Sequence, residues 1–499
     1  MEIPPAVQKL LSRLPPRAVG HLERVLERLP VVGDLVRGEK AKVSESLKEE
    51  VRKHRPADLR FDELPPSGVA PEVLLETLAR FAERESPTWR EGRVSGGVYH
   101  GGAEHLAFLD RVYALYSQAN PLHADIWPSV ARFEADIVNY TAKLMGGDAE
   151  VCGTLSSGGT ESIMLAMKAY RDHGRAVRGI RHGNIVAPAS AHPAFDKAAH
   201  TLDVEMIRVP VLADGRADVE KMQAAVNGST LVMVGSAPGF PHGVVDPIEV
   251  LSEFARARGI GFHTDACLGG FILAFAEEAG FGPVRFDFRL PGVTSMSADT
   301  HKFGYAAKGT SVVLYRGREL RRHQYFTSPD WSGGLYATPG FAGSRPGALI
   351  ASAWATMMVM GREGYVQRTR AVLDAARVIR RGIEAIPELK VIGDPLWVIA
   401  FESAQVDVFR VLDEMSKRGW HLNGLQKPPA IHLCVTLRHA EPGVAERFLA
   451  ALRESVQQVR DLPPAKDGMA PVYGLASSMP FKGLVGDLLC AYLDALFDA

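Results

Sequence analysis

Between residues 150 and 316, short uninterrupted apolar runs alternate with helical stretches; the runs fall at 184–188, 204–211, 231–235, 259–265, 293–297 and 310–315. Runs of this kind belong to strands covered on both faces, and strand–helix alternation with short connections predicts a mainly parallel, right-handed α/β sheet. Ligands of such sheets collect beyond the carboxyl ends of the strands, so the residues just past each run deserve inspection. This large domain is expected over residues 116–365. A helix-like stretch at 347–364 leads into a smaller α/β unit, residues 366–499, with strands near 391, 396–401 and 431–437.

Residues 1–115 read differently. Up to about residue 60 the chain is helical in pattern and broken by prolines, with Leu10, Leu11 and Leu14, then Val25, Leu26 and Leu29, at helical spacing. The piece 40–55 carries mixed charges and few apolar residues, as a solvated helix or a peripheral membrane-surface helix would. After Pro65-Pro-Ser-Gly68 an amphipathic helix is expected over 71–85, with Pro71 in its first turn. From 93 to 129 the periodicity fails and polar, aromatic and glycine residues accumulate, the composition of loops that carry sites. Helical patterning returns over 130–145.

A chain of 499 residues can bury a large core in two or three domains. Its net charge of −1, with no basic stripe interleaved with aromatics, argues against nucleic-acid binding. The four cysteines, Cys152, Cys267, Cys434 and Cys490, are widely separated and form no CxxC pair. That pattern points to a reducing, cytoplasmic setting and away from structural zinc. No secretory signal is visible, and no run approaches the roughly 20 apolar residues needed to span a bilayer.

Chemistry concentrates in Ser297-Ala-Asp-Thr-His-Lys-Phe-Gly-Tyr. Lys302 follows an apolar run and His301 and precedes another β-like run, so it is expected to be shielded from water. Burial would lower its amine pKa and make it a nucleophile able to form a Schiff base, which suggests a pyridoxal phosphate (PLP) enzyme. Three further segments fit that cofactor. Gly159 and Thr160, in Ser156-Ser-Gly-Gly-Thr-Glu-Ser, open a helix whose free N–H groups suit a phosphate, although the same residues are ordinary helix caps. Neither GxxxxGK[ST] nor GxGxxG is present. Asp265 ends the run 259–265, where a carboxylate needs a partner and the pyridine nitrogen would supply one. His192 follows the run 184–188, where its ring could stack on the cofactor. Four roles filled beyond strands of one sheet outweigh the bland reading of each residue alone.

These segments, with Asn120-Pro-Leu-His, Ala237-Pro-Gly-Phe-Pro-His-Gly-Val-Val-Asp-Pro247, Asp265-Ala-Cys-Leu-Gly-Gly-Phe271, Ala342-Gly-Ser-Arg-Pro-Gly347 and Trp420-His-Leu-Asn-Gly-Leu-Gln426, carry a resemblance over residues 93–480. The sequence resembles the sphingosine-1-phosphate lyase family, PLP-dependent aldehyde-lyases of the group II decarboxylase-like type. The resemblance implies the aspartate aminotransferase fold (PLP-dependent transferase fold type I), with a mainly parallel seven-stranded large-domain sheet and a smaller C-terminal α/β domain. It implies that Lys302 binds the cofactor covalently, that Gly159 and Thr160 hold its phosphate with His301 nearby, and that Ser344 of the partner subunit reaches it in a homodimer with shared sites. Tyr99, Asn120 and His123 match positions near cofactor and substrate, and Lys308 matches a lysine for substrate phosphate or proton transfer. The implied reaction cleaves sphingoid base 1-phosphates by retro-aldol chemistry, with Lys308, His301 and Tyr99 as candidate bases. A group II amino-acid decarboxylase and a silent PLP-fold scaffold are the alternatives. Eukaryotic members carry an N-terminal membrane span, and residues 1–60 contain no such run.

Overall fold

The computed structural model describes residues 63–460, the helix Lys482–Phe497, and isolated positions between 38 and 52 and at 462. Most of the N-terminal segment expected to be helical, and with it the membrane-contact expectation, lies outside the described residues. Seven strands form the central sheet: β1 Val151–Ser156, β2 Asn184–Pro188, β3 Glu205–Val209, β4 Thr230–Ser236, β5 Gly261–Asp265, β6 Ser295–Ala298 and β7 Ser311–Arg316, in the order β1-β7-β6-β5-β4-β2-β3. The pairings among β2, β3, β4, β5 and β6 are parallel, and β7 runs antiparallel to both its neighbours, β1 and β6.

The apolar runs become central strands because both faces are covered. Along β7, Val312 and Leu314 enter the core on one face while Val313 and Tyr315 enter the core on the other. Strand β4 divides likewise, with Met233 to one side and Val232 and Val234 to the other. The second face is closed by Ile163, Leu165 and Phe195 of the helices Gly159–Arg178 and Ala194–Leu202.

Several elements escaped the sequence pattern, among them strand β1, the helix Ala103–Tyr116, and the strands Phe326–Trp331, Gly334–Thr338 and Asn423–Gln426. Strand β1 reads Val-Cys-Gly-Thr-Leu-Ser, not a continuous apolar run, because it is an edge strand with β7 as its one neighbour. The helix Ala103–Tyr116 lies within the stretch expected to be irregular. Only His105 and Leu109 are buried in it, too few to draw an apolar stripe. The helices expected from residues 71 and 130 are observed as Pro71–Arg90 and Pro128–Leu144.

Beyond an exposed hairpin, β8 Phe326–Trp331 and β9 Gly334–Thr338, the helix Gly347–Glu384 runs on to the second sheet and is broken at Gly361 (φ 54°, ψ −179°). The division anticipated at 365/366 falls four residues after that break. The second sheet is antiparallel, β10 Lys390–Val391, β11 Val398–Glu402, β12 Asn423–Gln426 and β13 Pro429–Cys434, in the order β10-β11-β13-β12.

The two sheets meet closely at Gly243, in the loop after β4. Its φ of 70° suits glycine, and a Cβ built there would strike the backbone carbonyl of Val398 on β11. Gly243→Ala is therefore expected to destabilise the fold by about 3 kcal/mol, from overpacking and a left-handed alanine together. Urea unfolding measures this as a lowered midpoint, and an unchanged midpoint would contradict it.

Candidate active site

The carboxyl ends of β1, β5 and β6 and the first residue of β7 share one edge of the sheet, since Ser156 is paired with Ser311 and Asp265 with Ser297. Lys302 sits in the 12-residue connection 299–310 between β6 and β7. Its Nζ lies 2.9 Å from Oδ2 of Asp299, a carboxylate with 1 % of its side chain exposed. Burial alone would push the Lys302 ammonium down, as anticipated. The charges and contacts of Asp299, Cys267 and Asp265 outweigh burial and hold it well above the ordinary lysine range. The expectation of a lowered amine pKa is corrected accordingly: Lys302 is the charged, half-buried partner of a buried acid.

Asp299 was not singled out in the sequence, yet it lies at the centre of the cluster. Its Oδ1 is buried without a hydrogen-bond partner. A Cβ at Gly159 would lie 2.9 Å from both Asp299 oxygens and 2.7 Å from Cys267 Sγ, so a side chain there would displace the acid that holds the lysine. Gly159 opens a 20-residue helix whose first N–H groups have no intrahelical acceptor, and Thr160 beside it is exposed. Beneath this turn runs a chain of hydroxyls: Ser156 Oγ to Ser162 Oγ (2.7 Å), Ser162 Oγ to Ser311 Oγ (2.8 Å), and Ser311 Oγ donating to the Ala298 carbonyl (3.3 Å). It ties the helix start to β6 and β7.

Asp265 is buried, and Oδ1 takes both of its hydrogen bonds, from the Cys267 N–H (3.1 Å) and Ser297 Oγ (3.2 Å). Because Ser297 donates its one proton there, His263 Nε2, 3.2 Å from Ser297 Oγ, must be the donor in that contact. The Asp265 carbonyl accepts from the N–H of Ala237, which places the 237–247 motif directly behind the acid. His192 lies within electrostatic reach of Asp265, Lys302 and Asp299, and burial lowers its pKa. Its Nδ1 accepts from the Ala194 N–H (3.1 Å). His301 donates Nδ1–H to the Thr310 carbonyl (2.6 Å), leaving Nε2 as a bare acceptor 3.7 Å from Asp299, and burial keeps its ring below the ordinary histidine range.

Lys308 lies with Nζ 4.7 Å from the centre of the Tyr99 ring, and Tyr99 meets Phe303 edge-on at 4.9 Å. Burial and the neighbouring Lys302 lower the Lys308 ammonium. The Tyr99 hydroxyl sits 3.8 Å from Cys434 Sγ, and burial raises it well above the usual phenol range. Tyr99 and Lys308 thus join the Lys302 group. Asn120, His123 and Ser344 do not. Asn120 Nδ2 donates to Ser344 Oγ (3.0 Å), its Oδ1 accepts from the N–H groups of Leu122 and Arg345, and His123 is exposed near Trp127. These contacts tie the trio to its own surface rather than to Lys302.

The cluster fits an aldehyde-bearing ring with a phosphate. It offers an amine for imine formation, N–H groups at a helix start, a glycine cradle and a buried acid at the end of β5. It lies within residues 87–402, which match the pyridoxal-dependent decarboxylase conserved domain. Sphingosine-1-phosphate lyase of Arabidopsis thaliana is 44 % identical over 96 % of this chain and 89 % of its own, and that of Rattus norvegicus is 42 % identical over 96 % and 85 %. The solved sphingosine-1-phosphate lyase of Burkholderia pseudomallei is 45 % identical and superposes with a TM-score of 0.80, covering 84 % of this chain and 98 % of that one. Lactobacillus brevis glutamate decarboxylase, at 22 % identity and a TM-score of 0.69 over 83 % and 98 %, shares the fold. The conserved domain match and the identity maintained across nearly the whole length show that this chain belongs to the sphingosine-1-phosphate lyase family of pyridoxal-dependent enzymes.

Proposed function

We propose that this protein is a PLP-dependent carbon–carbon lyase that cleaves sphingoid base 1-phosphates to a long-chain aldehyde and phosphoethanolamine. The observation that carries this reading is the contrast in similarity: 42–44 % identity to lyases over nearly the whole chain, against 22 % to an amino-acid decarboxylase of the same fold.

The cofactor, when bound, supplies an electron sink at the carbon bearing the substrate amino group. Lys302 would be the residue that holds it covalently. The N–H groups at Gly159 and Thr160 would hold the cofactor phosphate, His192 would pack against the ring, and Asp265 would pair with the ring nitrogen. Tyr99 and Lys308 would face the substrate and bind its phosphate through charge-assisted hydrogen bonds, whereas His123, expected from the sequence to help there, lies exposed beside Trp127 on the Asn120–Ser344 surface. Three groups compete for the 3-hydroxyl proton. Tyr99 is held protonated by its burial, which makes it a donor. His301 Nε2, a bare acceptor, and Lys308, whose ammonium is weakened, remain able to take that proton. Asn120 and Ser344 are tied to each other away from Lys302, and this supports a homodimer in which Ser344 of the partner subunit completes the cofactor site.

Turnover of sphinganine 1-phosphate, with aldehyde and carbon dioxide both measured, tests the reading. Aldehyde is the expected product, and carbon dioxide without aldehyde would favour decarboxylation. Lys302→Ala should lose both turnover and the visible absorbance of bound cofactor; retention of either refutes its role. Removing the acid in Asp299→Asn lowers the pKa of the Lys302 ammonium. Trapping of added PLP on apoenzyme by borohydride should then run about tenfold faster at neutral pH. An unchanged rate would show that Asp299 does not control the amine. Finally, mixing inactive Lys302→Ala and Ser344→Asp chains should restore about a quarter of wild-type turnover, because half the dimers would then hold one intact site. No recovery after demonstrated chain exchange would argue for sites built within single chains.

A further inference from the structure

Tyr305 lies midway between Lys302 and Lys308 and has a φ of 59°. The other non-glycine residue with positive φ among the described ones, Asp203, caps a helix, where that conformation is routine. A buried aromatic residue in the left-handed region persists only when its surroundings impose it, and such strain gathers at functional sites. Two side chains impose it here. The Tyr365 hydroxyl donates to the Gly304 carbonyl (3.0 Å), and His105 Nε2 lies 3.1 Å from the Tyr305 carbonyl. A carbonyl only accepts, so Nε2 carries the proton; Nδ1 is then bare, and it is buried without a partner. Burial also holds His105 below the ordinary histidine range, in keeping with a neutral ring.

Position adds to this. His105 stands in the first turn of the helix Ala103–Tyr116, directly after the loop that carries Tyr99. Its bond to Tyr305 joins that loop to the connection carrying Lys302 and Lys308. The Tyr305 ring is stacked with Tyr365 at 6.3 Å, and Tyr365 with Phe275 at 5.2 Å, so the far side of the turn is anchored in the core.

We infer that His105 is a positioning residue for the reaction: with Tyr365, it clamps the left-handed turn at Tyr305 and so fixes where Lys302 and Lys308 stand relative to each other and to Tyr99. This rests on the lyase reading. Its test uses PLP-loaded full-length enzyme carrying His105→Leu, His105→Gln or Tyr365→Phe. Glutamine keeps a donor near the Nε2 position, and phenylalanine keeps the ring stack while removing the Gly304 bond.

The readouts are the pH dependence of the visible cofactor band, kcat and KM for aldehyde release, and the melting temperature of apoenzyme. His105→Leu should shift the pH midpoint of the band and lower kcat about 100-fold with KM little changed, since a small misplacement of catalytic groups costs on that order. His105→Gln should restore most of both, and Tyr365→Phe should fall between them. The inference is overturned if the leucine variant leaves the band's pH midpoint and kcat unaltered, if glutamine rescues nothing, or if only the melting temperature moves. Wild-type enzyme that holds cofactor yet releases no aldehyde would sink the lyase reading instead, while the shift of the band would still judge the clamp.

Discussion

One ammonium–carboxylate pair, Lys302 against Asp299, sets the terms for the surrounding architecture. Withdrawing two opposite charges from water is costly, and their attraction repays it only where geometry is tight and each charge has its partner. Asp299 is almost wholly enclosed, and one of its oxygens has no hydrogen-bond partner in the chain. Lys302 is the cation that balances Asp299, and each side chain holds the other in place.

Much of the scaffold keeps this exchange local. Gly159 lets the helix start approach Asp299 and Cys267, and the serine hydroxyl chain fastens that helix start to β6 and β7. On the other side, Ser297 and His263 support Asp265 from within the sheet. The two acids thus occupy different settings. Asp265 has two donors in place on one oxygen, whereas Asp299 has the Lys302 ammonium on one oxygen and no hydrogen-bond partner on the other.

The central strands were legible because a strand buried on both faces leaves an unbroken apolar run, as β2, β4 and β7 do. Strand β1 was not legible, because a one-sided edge strand accommodates Gly153 and Thr154. The residues beyond the strand ends were legible as well: Lys302, Gly159, Asp265 and His192 all gather at one edge. What sequence could not give was sign and partnership. Burial of Lys302 was foreseen, but the direction of its pKa depends on an anion three residues upstream whose orientation no spacing rule fixes. Asp299 stood within the same motif, and an acidic residue three positions before a shielded lysine was the available signal. Tyr305 carried none, since neither tyrosine nor its neighbours announce a left-handed backbone.

Reversal of β7 has a mechanical corollary. Strands β6 and β7 are immediate neighbours in the sheet, so the Lys302 segment leaves one and returns to the next at the same edge, unlike the helical crossovers elsewhere in the large domain. A segment pinned at both ends to adjoining rungs has little freedom to swing. Lys302 and Lys308 are thus carried on a short tether between two neighbouring rungs, so the sheet itself sets where both amines stand.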